Sequence, residues 1–412
     1  MKHSIKFNLT GGVILFCLAM CLTSCEGALD DVLGEWSRPT PGNNTNTTPT
    51  ADHSNQYLVY SYSTALDSVW TNIEGATVWT GTVAPGNVAA GTYVVEGTAT
   101  CAGQLVLMGE VNLILKDGAK LTVDDGIFYD NVNGVGSLNI YGQGISSNMG
   151  QLIVNNDNPV GGEANALCVL ALSVHGCKIE TTGDTGGTAT VGSKGIEIPN
   201  GSGDITIYNG NIKAIGLSAL AAGSGIVYDG TGNVNIYGGV LEAKGGNAID
   251  DANVGEGFYC GGNLTIKGDA IVKVYGGADS GHAQGGHGIR LNTGDIEISG
   301  NADVYAESGK DAVAAIYTNI GNINISGGKV EAVGNNNGNG IEISVGTTTV
   351  SGGAVIATGG ASGFGMDCNI VVGTGLKFYE DDSANPSASV AGTPGDGTTI
   401  IYCNNKRYVE IK

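Results

Sequence analysis

Tyr259, Arg290 and Tyr317 are residues whose types and spacing could do chemistry together. They stand 31 and 27 residues apart (290 − 259 and 317 − 290), each just after a matching step in the chain: Gly257-Phe258, Gly288-Ile289 and Ala315-Ile316. A guanidinium between two aromatic walls can hold a carboxylate bidentately, and an aromatic face suits the C–H face of a sugar ring. The plain alternative is an Arg stacked on its Tyr neighbours for packing alone. A second recurring place reads Tyr141, His175, Tyr208, Tyr237, Lys267, Ser299, Ser326 and Ser351. Tyr208 and Tyr237 thereby become candidates for the same kind of contact, against the ordinary preference of Tyr for strands.

These groupings have meaning only if the chain brings equivalent places together. From about Gly136 to Gly375 it repeats a short alternating strand, a Gly-containing corner, a second alternating strand, a variable loop and a Gly-Ile step. The first strand begins at Leu138, Leu172, Ile205, Val234, Leu264, Ile296, Ile323 and Thr348, a spacing of 25 (348 − 323) to 34 (172 − 138) residues. Alternation with period 2 sends one side chain inward and the next outward, and periods of this length mark repeat architectures. The units are shorter than propeller blades, lack a leucine-rich frame and offer no helical apolar stripe. The expected fold is all-β: a single-stranded right-handed parallel β-helix over residues 92–376, with caps at 57–91 and 377–412. Stacked at ~4.8 Å per turn, it makes columns of equivalent residues. Glu197, Val227, Tyr259, Arg290, Tyr317, Glu342 and Asp367 form one; Glu180, Lys213, Glu242, Lys273, Tyr305 and Glu331 form another, read as a solvated ladder of cross-strand pairs.

Composition narrows the function. Of 412 residues 71 are Gly and 8 Pro, without the strict period of collagen, and 41% are hydrophobic, which is ordinary for a folded chain. Lys plus Arg number 18 against 39 Asp plus Glu, a net charge of −21. A surface that acidic repels phosphate backbones, so nucleic acid is an unsuitable partner.

The amino terminus carries an address. Lys2 and Lys6 precede the apolar stretch of ten residues Val13 to Leu22, too short for a transmembrane helix. Leu22-Thr23-Ser24-Cys25 resembles a bacterial lipobox, so 1–24 reads as a signal peptide and Cys25 as the lipidated residue, with 25–56 a polar tether. Glu26, Asp30 and Asp31 resemble the surface-export signal of Bacteroidetes lipoproteins, which implies an outer-membrane lipoprotein facing outward. Cys101, Cys168, Cys177, Cys260, Cys368 and Cys403 show no metal spacing; most read as core filler, and a Cys168–Cys177 disulfide is left open.

The sequence also holds two patterns with catalytic precedent. Gly286-His287-Gly288 and Asp250-Asp251 resemble elements of the polygalacturonase family, but Gly288 belongs to the repeat's own Gly-Ile step and the family's Asn-Thr-Asp and Arg-Ile-Lys elements are missing. His282 and His287 lack a third ligand for a metal. The pattern I-x-I-x-G-G-x-V-x-A-x-G … G-I over about 233–360 resembles the carbohydrate-binding domain-containing surface lipoproteins of Bacteroidetes type, a family with a pectate-lyase-like fold. The resemblance implies binding to plant-type polysaccharide without cleavage, with calcium held by Asp just before the Gly-Ile step. Those places here are Lys194, Ser224, Glu256, His287, Ala314, Asn339 and Phe364, of which Glu256 alone is acidic, so no cofactor is assigned. The resulting expectation is a lipid-anchored polysaccharide-binding protein. The alternatives are a polysaccharide lyase or glycoside hydrolase acting on pectin-like glycans, and an adhesin or surface scaffold.

Overall fold

The computed structural model describes residues 52–412 apart from 145–146, 157–164, 184–191, 202, 220–221, 231, 249–253, 279–284, 311, 384–391 and 403–405. The signal peptide, Cys25, the tether up to residue 51, Asp250-Asp251, His282 and Cys403 lie outside the described residues. The chain is all-β, and no helix among the described residues is long and apolar enough to cross a membrane.

Each repeat pairs in parallel with the repeat before and after it, and three ladders show this. Ile205–Ile215 pairs with Asn233–Ile236, then Asn263–Ile266, Ile296–Ile298 and Ile323–Val333. The second ladder passes from Ile205–Ile215 through Val240–Lys244, Ile271–Tyr275 and Asp303–Glu307 to Ile323–Val333. A third joins Ile196–Ile198, Ile226–Tyr228, Phe258–Cys260, Ile289–Thr293 and Ala314–Ile320. The inward positions are Ile, Val, Leu, Ala and Cys, which fuse into one buried cluster from Val83 to Ile411.

The expected single-stranded right-handed parallel β-helix, with three sheets each built of separate short strands, is corrected at the corners. Ile205–Ile215 and Ile323–Val333 run through a corner unbroken, so each belongs to two ladders. The eight strands of the first two ladders therefore close a hydrogen-bonded circuit. In connectivity it is an eight-stranded parallel barrel, with the other strands outside it in the same 30-stranded sheet. Glycine is the physical reason. Gly210 (φ 127°) and Gly328 (φ 76°) take backbone angles that L-residues resist. A Cβ on Gly328 would also run into the Ala302 carbonyl. Read along the sequence these glycines mark a break; in space they let the strand bend and keep pairing.

The ends differ from the middle. Parallel pairing already includes Thr77–Thr82 and Gly86–Val88, inside the stretch read as a cap. Gln56–Tyr62 and Leu66–Asn72 form an antiparallel hairpin, a sheet of its own. At the carboxyl end Lys377–Asp381, Thr393–Pro394, Ile400–Tyr402 and Tyr408–Ile411 pair antiparallel, burying Phe378, Val409 and Ile411. Cys101, Cys177, Cys260 and Cys368 carry free thiols, and the free Cys177 answers the question of a Cys168–Cys177 bridge.

Candidate functional site

The in-register pairing places Val227, Tyr259, Arg290, Tyr317, Glu342 and Asp367 on successive neighbouring strands, each directly beside the next. Their side chains point away from the core because Phe258, Cys260, Ile289, Leu291, Ile316 and Thr318 on either side of them point in and are buried. Tyr259 and Tyr317 are half-buried, and the Arg290 side chain keeps 43% of its surface exposed.

Arg290 is not a free cation. Its Nη1 donates to Glu256 Oε1 at 3.0 Å, and its guanidinium carbon lies 5.8 Å from the Tyr259 ring centre. Glu256 Oε2 in turn accepts the backbone N–H of His287. His287 stacks beneath Tyr317, ring centres 4.9 Å apart and 16° from parallel, and its Nδ1 lies 2.8 Å from the Ala314 carbonyl. Burial holds the His287 pKa below its ordinary value against the opposing pull of Glu256. Tyr317 Oη shares a hydrogen bond with Ser344 Oγ at 3.0 Å. The row is thus braced from below: Glu256 fixes the arginine and His287 supports one aromatic wall. Sequence reasoning overlooked Glu256 as Arg290's partner, although register alone puts it one repeat away, at the position before its own Gly-Phe step.

Further along, Glu342 is held by Asn339 Nδ2 at 2.7 Å, and its pKa is raised by burial, with the neighbouring Asp367 charge adding to the rise. Asn339 Oδ1 also accepts the Phe364 N–H at 2.7 Å. The same device recurs before other Gly-Ile steps: Lys194 N–H donates to Asn165 Oδ1 and Glu256 N–H to Ser224 Oγ, both at 3.0 Å. Of the places where the resemblance implies calcium ligands, Ser224, Glu256, His287 and Asn339 therefore carry side chains engaged with backbone N–H groups of the next repeat. Among the described residues no three His, Cys, Asp or Glu groups gather as a metal site.

Tyr208 and Tyr237 stand in a different situation. Tyr141, His175, Tyr208 and Tyr237 do stand in a row, the first three stacked at 4.7 and 4.6 Å and Tyr237 tilted against Tyr208 at 5.7 Å. The amino-terminal hairpin lies on that row. Tyr62 stacks on Tyr237 at 4.2 Å and 1°, Tyr57 packs edge-on against Tyr141 at 4.8 Å, and Tyr60 N–H donates to His175 Nδ1 at 3.0 Å. The strip read as a surface for sugar rings is occupied by the chain's own aromatic residues. His287 of the Gly-His-Gly triplet is buried and engaged, so it is a brace and not a solvent-facing acid.

No family model matches the chain, and neither curated proteins nor solved structures provide a match.

Proposed function

We propose that this protein binds polysaccharide without cleaving it, along the row Tyr259, Arg290 and Tyr317, while held at the outer surface of the outer membrane by a lipid on Cys25. The observation that carries the reading is that two aromatic side chains and a braced guanidinium stand in register on one open face. Tyr237, by contrast, already carries Tyr62 of the hairpin on its ring. The resemblance to carbohydrate-binding surface lipoproteins supports the same class. Because Glu256 neutralises Arg290 and the chain carries a net charge of −21, a neutral glycan suits this face better than a polyuronate.

The second reading, a glycoside hydrolase, is favoured by one observation: Glu342 and Asp367 are neighbouring carboxyls, and the first is driven toward its protonated form. One panel separates the two. Mature protein is run through affinity gels containing galactomannan, mixed-linkage β-glucan, dextran or homogalacturonan, and the same mixtures are assayed for reducing ends and for absorbance of unsaturated products. Retardation by a neutral polymer with no product is expected. Product release would overturn non-cleaving binding in favour of the enzyme, and no retardation by any polymer would remove the glycan reading.

A further inference from the structure

The row of site residues does not run on indefinitely. From Tyr259 to Asp367 it takes four strand-to-strand steps, about 19 Å at ~4.8 Å each. At Met366–Val372 the parallel repeat ends. The neighbour beyond is the antiparallel strand Ile400–Tyr402, with Tyr402 opposite Asn369. Here lies a cavity of about 400 Å³, lined by Ser344, Val345, Asp367, Asn369 and Tyr402 among others. It joins the row directly, since Ser344 is the hydrogen-bond partner of Tyr317. Tyr402 is 71% exposed and Val345 61%, unusual for large apolar side chains beside a polar pocket. The size falls within the range of ligand pockets, and the lining is of their kind: an aromatic face, an aliphatic wall and a few converging polar groups.

We propose that this cavity is a chain-end subsite, a deepening that rests on the glycan-binding reading above. A glycan lying along Tyr259, Arg290 and Tyr317 reaches the cavity and is stopped by Tyr402. Its last ring stacks on that tyrosine while Asp367, Asn369 and Ser344 receive its hydroxyls. A terminal sugar carries one hydroxyl more than an internal one, and the Asp367 carboxylate oxygens are suited to accept a hydrogen bond from it. The row supplies contact with any length of chain; the cavity selects an end.

The test compares one neutral polymer, galactomannan or mixed-linkage β-glucan, before and after partial acid hydrolysis, using the full mature chain. An end reader binds in proportion to the number of chain ends, so a tenfold shorter polymer binds about tenfold more protein per milligram at saturation. Tyr402→Ala and Asp367→Asn are each expected to weaken binding of the derived hexasaccharide about tenfold, with unchanged thermal midpoints. Equal capacity per milligram before and after hydrolysis would overturn the chain-end subsite while leaving glycan binding intact. Unaltered affinity in both variants would do the same. If neither polymer is bound at all, the glycan reading and this inference fall together.

Discussion

His175 links the amino-terminal hairpin to the stacked strands, and its neighbours fix its tautomer. Nδ1 accepts from the Tyr60 N–H, so the proton sits on Nε2, which lies 2.8 Å from Ser173 Oγ. Burial pushes the His175 pKa down to about 4, against an ordinary value near 6.5. The sign follows from where protons bind. With the hairpin lifted, the ring takes up a proton below about pH 6.5, whereas the closed form resists until about 4, so closure is fully favoured above 6.5 and weakens as pH falls through that window. Exchange of the Tyr60 amide, corrected for its intrinsic rate, is expected to rise up to about tenfold per pH unit on acidification between these limits. His175→Gln keeps a hydrogen-bonding side chain without the titration, and there the rise should vanish. A pH-independent rate in the parent protein would show that this contact is not the clamp.

At the scale of the elements, the strands are held in register by polar side chains as well as by ladders. Asp204, Asn233, Asn263, Asp295 and Asn322 each stand at the start of a first strand or immediately before it. Several of these side chains accept the N–H of the equivalent residue one repeat on: Asn233 to Asp204, Asp295 to Asn263, and Asn322 to Asp295. Asn339 combines this role with its grip on Glu342. Asn339→Ala is expected to lower unfolding free energy by about 1–3 kcal/mol, because it leaves the part-buried Phe364 N–H without its acceptor; a urea midpoint unchanged from the parent would contradict it. The regular spacing of these Asn and Asp residues was visible in the sequence and passed over. What the sequence showed well was which residues share a face, since Tyr259, Arg290 and Tyr317 follow from alternation and repeat length alone. Two things were hidden. Asn209-Gly210 and Gly327-Gly328 look like interruptions in a sequence, and only backbone geometry reveals that the strand bends through them and closes the circuit. Tyr60 and His175 are 115 residues apart, outside the repeat, so nothing periodic announces that the hairpin lies on His175 and Tyr237.

The whole molecule carries two aromatic rows that look alike in sequence but differ in surroundings. One is covered by the chain's own hairpin; the other is open, braced by Glu256 and His287, and ends in a walled cavity. Acidic charge spread over the rest of the chain turns away polyanions, which leaves shape and hydrogen bonding to govern what the open row holds. Calorimetric titration of the mature protein with a hexasaccharide from the polymer it retains, in two paired variants, tests this most directly. Tyr259→Ala with Tyr317→Ala should weaken binding about 100-fold, roughly tenfold for each lost aromatic face. Tyr208→Ala with Tyr237→Ala should leave affinity within about twofold of the parent, because Tyr237 already carries Tyr62 of the hairpin and Tyr208 sits between His175 and Tyr237. The reverse pattern, or equal affinity in the parent and the first pair, would contradict the assignment of the binding face.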